Sequence, residues 1–192
     1  MMTERQTLKI GITGGIGSGK SFVCTQLARR GITVYDCDSA AKRIMRSSAA
    51  VRTALTRLIG PETYTGDGLL NKAAVAAYLL ASPQNARAID AIVHPTVAAD
   101  FLQSGNDWME CAILFESGFD RLVDRVVVVT APEDVRIRRI IERDGIAREK
   151  ALEWMARQWP QDEVRRRADY EIVNDGVADI GRQIDELIVK LK

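Results

Sequence analysis

The chain has 192 residues, of which 46% are hydrophobic and 28% charged, and its formal net charge is +1 at neutral pH. This length and composition fit a folded protein with one globular domain and room for an insert. The small net charge excludes bulk attraction to nucleic acid or to an anionic membrane, and the single histidine excludes a metal site built from histidines.

Three cysteines, Cys24, Cys37 and Cys111, form no C-x-x-C pair, and their odd number and wide spacing fit reduced thiols. The first residues contain no apolar signal-peptide core, and no apolar stretch approaches the length of a membrane span. We therefore expect a cytoplasmic protein that binds neither a membrane nor a nucleic acid.

The strongest motif lies at residues 14–21, which read GGIGSGKS. They satisfy G-x-x-x-x-G-K-[ST], the phosphate-binding loop between a strand and a helix. Glycines let the backbone curl so that its N–H groups point at a polyphosphate, next to the positive end of the following helix. In this motif Lys20 lies along the β- and γ-phosphates, and the Ser21 hydroxyl completes the shell of Mg²⁺.

The alternative is a flexible glycine turn with an exposed lysine, and the strand-like run before the motif and the helical pattern after it favour the nucleotide site. The predicted nucleotide-binding residues are Gly14, Gly15, Ile16, Gly17, Ser18, Gly19, Lys20, Ser21 and Phe22.

Five short apolar runs predict strands, with helical patterns between them. The runs are Leu8–Thr13, Ile32–Asp36, Cys111–Phe115, Val126–Thr130 and Ile172–Asn174. Apolar strands that alternate with helices indicate a parallel sheet covered on both faces. We therefore predict an α/β fold of the P-loop NTPase type, in which three α/β/α layers contain a five-stranded parallel sheet. Ligands of such sheets bind outside the carboxyl ends of the strands.

Two aspartates, Asp36 and Asp38, follow the second run, and they share one face if the backbone there is extended. Residues 39–45 predict a helix, for which Ser39 is the preferred N-cap and either aspartate an alternative. We favour a functional role for the aspartates, because they leave a strand end beside the predicted phosphate loop. A carboxylate there aligns a hydroxyl group and accepts its proton as the hydroxyl attacks a γ-phosphate.

No strand pattern occurs between Asp36 and Cys111. Helices are predicted there over 49–58, 72–80 and 86–93, with His94-Pro95 interrupting the last one. A crossover of this length exceeds what a parallel strand pair requires, which indicates a helical insert and a platform for a second substrate. We expect His94 to be structural.

The predicted division is a nucleotide-binding core of 1–61, 106–135 and 168–192, a helical insert of 62–105 and a helical lid of 136–167. Arginines concentrate in the lid, and Arg136, Arg139 and Arg143 form one stripe of a helix. Most of the lid arginines are expected to pair with neighbouring acids on a solvated face. Phosphoryl transfer nevertheless needs cations over the transferring group, and Arg139 and Arg143 are the candidates.

Two further residues follow predicted strands. Glu116 comes after the third run, where it binds Mg²⁺ through water, fixes an arginine, or is an ordinary loop carboxylate. Asn174 comes after the last run in an Asn-Asp-Gly turn, where it is also a candidate contact for a nucleotide base. Asp144-Gly145 predicts the turn between the two helices of the lid.

Taken in order, these motifs resemble the dephospho-coenzyme A kinase family over nearly the whole chain. The matching elements are residues 11–21, Asp36-Cys37-Asp38, Leu70-Asn71-Lys72, His94-Pro95, Leu114-Phe115-Glu116, Arg143-Asp144, Ala168-Asp169-Tyr170 and Asn174-Asp175-Gly176. The phosphate loop alone is common to many kinases, whereas the ordered set is specific. The chain departs from the family pattern at Phe22, at Cys37 and at residues 110–113.

The resemblance implies ATP- and Mg²⁺-dependent phosphorylation of the ribose 3′-hydroxyl of dephospho-coenzyme A, the last step of coenzyme A synthesis. It also implies that Asp38 is the base, that the insert binds the coenzyme A portion, and that 136–167 is the lid. Lys20, Arg139 and Arg143 complete the expected catalytic set. We expect a monomer.

Three alternatives remain open: another kinase, a GTP-dependent switch and a non-catalytic binding module. A nucleoside or nucleotide monophosphate kinase of similar architecture shares the phosphate loop. A GTP-dependent switch normally needs N-K-x-D, but Asn71-Lys72 is followed by two alanines, and no aspartate begins a D-x-x-G motif. A non-catalytic ATP-binding module is disfavoured by Asp38 and by the arginines of the lid.

Overall fold

The computed structural model of the chain describes residues 8–191. The strands are β1 (Ile10–Thr13), β2 (Val34–Asp36), β3 (Trp108–Glu110), β4 (Arg125–Thr130) and β5 (Tyr170–Val173). The α-helices are α1 (Lys20–Ala28), α2 (Cys37–Ser47), α3 (Ala49–Ile59), α4 (Lys72–Ala81), α5 (Pro83–Gln103), α6 (Glu133–Asp144), α7 (Arg148–Ala156), α8 (Gln161–Arg167) and α9 (Ile180–Lys190). Short 3₁₀ helices cover Pro61–Thr63 and Phe119–Leu122.

The strands form one sheet in the order β2-β3-β1-β4-β5. β1 pairs in parallel with β3 on one side and β4 on the other, and β5 pairs in parallel with β4. β1 is therefore central, and the chain leaves its carboxyl end directly into residues 14–19 and then α1. The predicted α/β fold with a five-stranded parallel sheet is confirmed.

One apolar core holds α1 and α9 against the sheet. β1, β4 and β5 contribute buried isoleucines and valines, which suit the pleated surface of a strand. From the helices come Val23, Leu27, Ile180, Ile184 and Leu187, which are also buried. The core fixes the start of α1 relative to the strand ends, and therefore fixes the loop that joins β1 to α1.

The third strand lies earlier in the chain than predicted. β3 is Trp108–Glu110, and residues 111–118 form successive turns in which Gly118 N–H donates to Phe115 O and Phe119 N–H donates to Leu114 O. The prediction of a strand over Cys111–Phe115 was wrong, because that run is apolar for a different reason. Cys111 and Leu114 are buried within the turns, and Leu114 packs beside Gly11 of β1, whereas the true strand is only three residues long, with Met109 buried between the partly buried Trp108 and Glu110.

By its contacts the chain divides into two compact units, the second of which spans Asp36–Gly105. This unit contains helices α2 to α5 and begins earlier than residue 62, the first residue predicted for the insert. Its first helix, α2, is capped by Asp36, whose carboxylate accepts from the Ser39 N–H at 2.9 Å and from the Ser39 hydroxyl at 2.7 Å. The preference for Ser39 as the cap was therefore wrong.

Helix α5 continues through Pro95, although the sequence predicts an interruption there. Proline lacks an N–H group and removes one helical hydrogen bond. The helix continues because Ile89, Val93, Val97 and Phe101 are spaced four residues apart and are all buried. A continuous apolar stripe of this kind outweighs the loss of one hydrogen bond. On the same helix the His94 Nε2 lies 3.5 Å from Asp90 Oδ1.

Helices α6 and α7 form a second, smaller core in the first unit. Ile137, Ile140 and Ala151 are buried in it, and Ile16 of the phosphate loop packs against them. Gly145 ends α6 with a φ of 65°, in the left-handed region, and α7 starts three residues later at Arg148. This confirms the predicted turn at Asp144-Gly145. Within residues 8–191 no helix is long and apolar enough to cross a membrane.

Replacing Ile184 with Ala should lower the free energy of unfolding by about 2–4 kcal/mol, because the side chain is fully buried in the core that α9 shares with α1 and the sheet, and its loss leaves a cavity. Val189→Ala on the same helix is the matched control, since Val189 is 72% exposed and its loss should cost less than about 0.5 kcal/mol. Urea unfolding of both variants measures the difference. Equal effects would show that α9 does not seal this core.

Candidate active site

The backbone of residues 14–19 forms a curled loop between β1 and α1. Gly14, Gly17 and Gly19 have φ angles of 147°, 80° and 92°, which L side chains rarely adopt. Gly19 is the N-cap of α1, so the loop runs straight into the amino end of the helix. Within residues 8–191 the N–H groups of Gly17, Gly19 and Ser21 have no recorded acceptor. These donors at a helix amino end suit an anion.

Close packing explains why two of these positions are glycine. A Cβ on Gly14 would lie 2.3 Å from the carbonyl oxygen of Val129 on β4. A Cβ on Gly19 would lie 2.1 Å from Nδ2 of Asn174. The loop is therefore packed against β4 and against the residue that follows β5, and any side chain at these positions would displace it.

Lys20 reaches back across the loop. Its Nζ donates to Gly14 O at 2.8 Å and lies 3.7 Å from Oε1 of Glu110 at the end of β3. Both side chains are largely buried, with exposed fractions of 11% and 17%. A lysine held along the loop in this way places a compact positive charge beside the unpaired amides.

Arg139 and Asn174 bind the outer side of the loop. Arg139 Nη1 donates to Gly17 O and Ser18 O at 3.3 Å, and its Nη2 donates to Asn174 Oδ1 at 3.2 Å. Asn174 Nδ2 donates to Ser18 O at 2.8 Å, and its own N–H donates to Thr130 O. The structure thus brings two predicted site residues, Arg139 and Asn174, to the loop and to each other.

The peptide groups of Ile16 are held by two side chains that the sequence analysis did not select. Arg136 Nε donates to Ile16 O at 3.0 Å, and Ile16 N–H donates to Gln158 Oε1 at 2.7 Å. Burial lowers the pKa of the Arg136 guanidinium from its ordinary value, against the opposing influence of Glu133. Ile16 of the loop is therefore hydrogen-bonded both to α6 and to the segment after α7.

Arg143 lies away from these contacts. Its guanidinium is exposed and pairs with Asp144, with Nη2 at 2.7 Å from Oδ2. The hydrogen bond raises the pKa of Arg143 and lowers that of Asp144. Within residues 8–191 the Arg143 guanidinium donates hydrogen bonds only to the Asp144 carboxylate. The structure therefore does not bring Arg143 to the loop.

Asp38 belongs to the second unit. It lies in the first turn of α2 with its side chain exposed, and Asp36 rather than Asp38 caps the helix. An acid in the first turn interacts favourably with the helix dipole. Because the capping interaction is made by its neighbour, the Asp38 carboxylate is left facing solvent, where it is accessible to a substrate.

Ser21 and Phe22 lie in the first turn of α1, and both are exposed. The Ser21 hydroxyl is thus accessible to a cation at the amino end of the helix. Within residues 8–191 there is no cluster of three or more His, Cys, Asp or Glu side chains that could hold a metal ion. A hydroxyl without a carboxylate cage fits Mg²⁺, which keeps several waters and binds largely through substrate phosphates.

The prediction that Glu116 follows directly on a strand was wrong, because β3 ends at Glu110. The Glu116 Oε1 accepts from the Trp159 N–H at 3.1 Å, and Phe115 stacks on the Trp159 ring at a centroid distance of 6.2 Å. Glu116 thus fastens the segment after α7 to the turns that follow β3. The acid at the end of β3 is Glu110, which the strand-end rule would have selected if β3 had been placed correctly.

The chain is similar to known proteins over nearly its full length. A family profile described as dephospho-CoA kinase matches residues 8–179. The dephospho-CoA kinase of Chlorobaculum tepidum is 36% identical over 204 aligned positions, which cover 99% of this chain and 98% of that protein. That of Bacteroides fragilis strain ATCC 25285 is 41% identical and covers 96% of this chain and 93% of its own.

Solved structures agree with the fold. TT1252 from Thermus thermophilus has a TM-score of 0.85 at 31% identity and covers 97% of this chain and 98% of its own. A dephospho-CoA kinase from Campylobacter jejuni has a TM-score of 0.68 at 19% identity and covers 95% of this chain and 96% of its own. Shikimate kinase from Acinetobacter baumannii shares the fold more distantly, with a TM-score of 0.55 at 16% identity and coverage of 97% and 93%.

Gly19→Ala should abolish tight binding of ATP, because the added Cβ collides with Asn174 Nδ2 and displaces the loop. Gly31→Ala is the matched control: Gly31 also has a positive φ, of 78°, but a Cβ there meets nothing within 4 Å. Its cost is backbone strain of about 1 kcal/mol, without an effect on affinity. Calorimetric titration measures the affinity of both variants for ATP. Equal affinities would contradict the prediction, because they would show that the close contact at Gly19 is not needed for nucleotide binding.

Proposed function

The chain belongs to the dephospho-CoA kinase family, and from this membership we propose that it transfers the γ-phosphate of ATP to the ribose 3′-hydroxyl of dephospho-CoA. The products are coenzyme A and ADP. The observation that carries the proposal is the loop at residues 14–21, where unpaired amides, a buried lysine and a helix amino end meet at the centre of the sheet.

The loop and Lys20 hold the phosphates of ATP. The N–H groups of Gly17, Gly19 and Ser21 donate to phosphate oxygens, in the way that backbone amides bind anions at helix amino ends. Lys20 exchanges its contact with Gly14 O for the β- and γ-phosphates, and it stabilises the charge that develops during transfer. Phe22, exposed in the next position, completes the nucleotide-binding stretch.

Asp38 acts as the base that aligns the acceptor hydroxyl and takes its proton. Its support is chemical and local: an exposed carboxylate in the first turn of α2, just past the carboxyl end of β2 and relieved of capping by Asp36. The proton passes from the 3′-hydroxyl to the carboxylate while the oxygen attacks the γ-phosphorus, and the bond from that phosphorus to the β–γ bridging oxygen breaks.

Arg139 and Arg143 are proposed to neutralise the transferring phosphoryl group. Arg139 is already bound to the loop, whereas Arg143 needs to exchange Asp144 for a phosphate. Such an exchange fits a lid of 136–167 that moves when ATP binds. Asn174 is proposed to contact the nucleotide base or to fix the loop that carries it.

Mg²⁺ would be held by the Ser21 hydroxyl, together with phosphate oxygens and water. When bound, it would neutralise negative charge on the phosphates. The remaining proposals are a helical insert of 62–105 that binds the coenzyme A portion, a core of 1–61, 106–135 and 168–192, and a cytoplasmic monomer.

The test of this function is a coupled assay of ADP release with three acceptors: dephospho-CoA, adenosine and a mixture of nucleoside monophosphates. We expect turnover with dephospho-CoA alone, and digestion of the product with a 3′-specific phosphatase should restore the substrate. Turnover with a nucleoside or nucleoside monophosphate in place of dephospho-CoA would contradict the proposal and favour a nucleotide kinase.

Asp38→Asn should lower kcat with dephospho-CoA about a hundredfold or more while the affinity for ATP stays nearly unchanged, because only the proton acceptor is removed. Asp134→Asn is the control, since it removes an exposed carboxylate from the first turn of another helix, α6. Steady-state rates and ATP titrations separate the two effects. A matching loss of ATP affinity in Asp38→Asn would make Asp38 a structural residue.

A further inference from the structure

Arg136 is a buried cation near the start of α6. Its exposed fraction is 7%, whereas Arg138, two residues later on the same helix, is exposed. A guanidinium remains protonated in proteins, so the positive charge of Arg136 persists despite its burial. The fold therefore buries most of a positively charged side chain at this point.

The hydrogen bonds of this guanidinium are incomplete. Nε donates to Ile16 O, but within residues 8–191 no carboxylate forms an ion pair with it and neither Nη1 nor Nη2 has a recorded acceptor. In that part of the chain the Ser18 hydroxyl is the one side-chain polar atom that is both fully buried and without a partner. The Nη atoms of Arg136 therefore keep access to solvent, and to a ligand.

The guanidinium lies against the phosphate loop. A Cβ on Gly15 would lie 2.2 Å from Nη2 of Arg136 and 2.8 Å from its Cζ. A Cβ on Gly17 would lie 2.6 Å from the Arg136 carbonyl oxygen. Arg136 thus occupies space that only glycine leaves open at these two positions of the loop.

The other two arginines of the stripe differ from it. Both Nη groups of Arg139 donate hydrogen bonds to protein acceptors, and Arg143 is paired with Asp144 at the surface. A buried charge without a counter-ion is costly, and proteins normally pair it. Glu133 is near enough to interact electrostatically with Arg136, but in the described residues it forms no ion pair with the guanidinium, which leaves room for a bound anion to supply a closer negative charge.

We propose that Arg136 is a further phosphate-binding residue, whose Nη groups donate to the polyphosphate of the nucleoside triphosphate held in the loop. Its Nε holds Ile16 O, so one side chain both shapes the loop and adds a fixed charge to it. Bidentate donation to phosphate is the contact for which a guanidinium fork is suited. This inference rests on the proposed function, because it assumes that the loop binds a triphosphate.

The test is calorimetric titration of the full chain with inorganic tripolyphosphate and with ATP. Arg136→Gln keeps a donor for Ile16 O but removes the charge, and it should weaken binding of both ligands about tenfold or more. Its salt dependence should be shallower than that of the unchanged chain. Arg138→Gln removes one charge from an exposed position of the same helix, and it should change either affinity by less than about twofold.

Arg136→Lys separates charge from loop geometry. It keeps the positive charge and should lose less affinity than Arg136→Gln; equal losses would overturn the proposal and leave Arg136 as a support for Ile16. An effect on dephospho-CoA binding alone, with tripolyphosphate unchanged, would also overturn it. If thermal melting shows that Arg136→Gln does not fold, the tripolyphosphate affinities of Arg136→Lys and Arg138→Lys are compared instead. The proposal predicts a reduced affinity in Arg136→Lys only, and equal affinities would overturn it.

The unchanged chain is assayed in parallel for turnover of dephospho-CoA. Turnover by this chain, together with unweakened tripolyphosphate binding by Arg136→Gln, contradicts the assignment of Arg136 and leaves the kinase function intact. Absence of turnover with dephospho-CoA contradicts the function itself.

Discussion

The site depends on side-chain hydrogen bonds to the carbonyl groups of the phosphate loop. The carbonyl oxygens of residues 14, 16, 17 and 18 all accept from side chains. The donors are Lys20, Arg136, Arg139 and Asn174. Fixing the carbonyls fixes the peptide planes, and therefore also the directions of the N–H groups. A phosphate site made of amides is preorganised in this way before its ligand arrives.

Three of those donors are positively charged, which gives the site its electrostatic character without a strongly basic chain. The net charge of the protein is only +1, yet three cationic side chains donate to the carbonyl groups of this one loop. Charge-assisted hydrogen bonds of this kind are stronger than neutral ones. The division of work among the arginines follows from burial: Arg136 and Arg139 shape the loop, whereas Arg143 is exposed and paired with Asp144.

The sequence was most informative where a backbone conformation demands particular residues. The spacing of the phosphate-loop motif alone located Gly14 and Gly19, and the turn at Gly145 followed from Asp-Gly. Sequence reasoning failed where burial arises from tertiary packing. Cys111 and Leu114 are buried residues of the turns that follow β3, and their apolar side chains shifted the expected strand and concealed Glu110.

Contacts between residues far apart in the chain were also not predictable from the sequence. Gln158 and Arg136 reach Ile16 from more than 100 residues away in sequence, and no local pattern marks them. Arg136, Arg139 and Arg143 share a helical stripe, and only the last two were selected as candidates, but a stripe does not show which members face the loop. The rule that proline ends a helix likewise failed at Pro95, because the buried apolar stripe of α5 keeps the helix continuous.

The central claim is that the amides of residues 17–21 and the ammonium group of Lys20 hold a triphosphate. A crystal structure with a non-hydrolysable ATP analogue tests it most directly. The account predicts β- and γ-phosphate oxygens at about 3 Å from the amides of Gly17, Gly19 and Ser21 and from Lys20 Nζ. A triphosphate bound elsewhere, with Lys20 still on Gly14 O and Glu110, would contradict it.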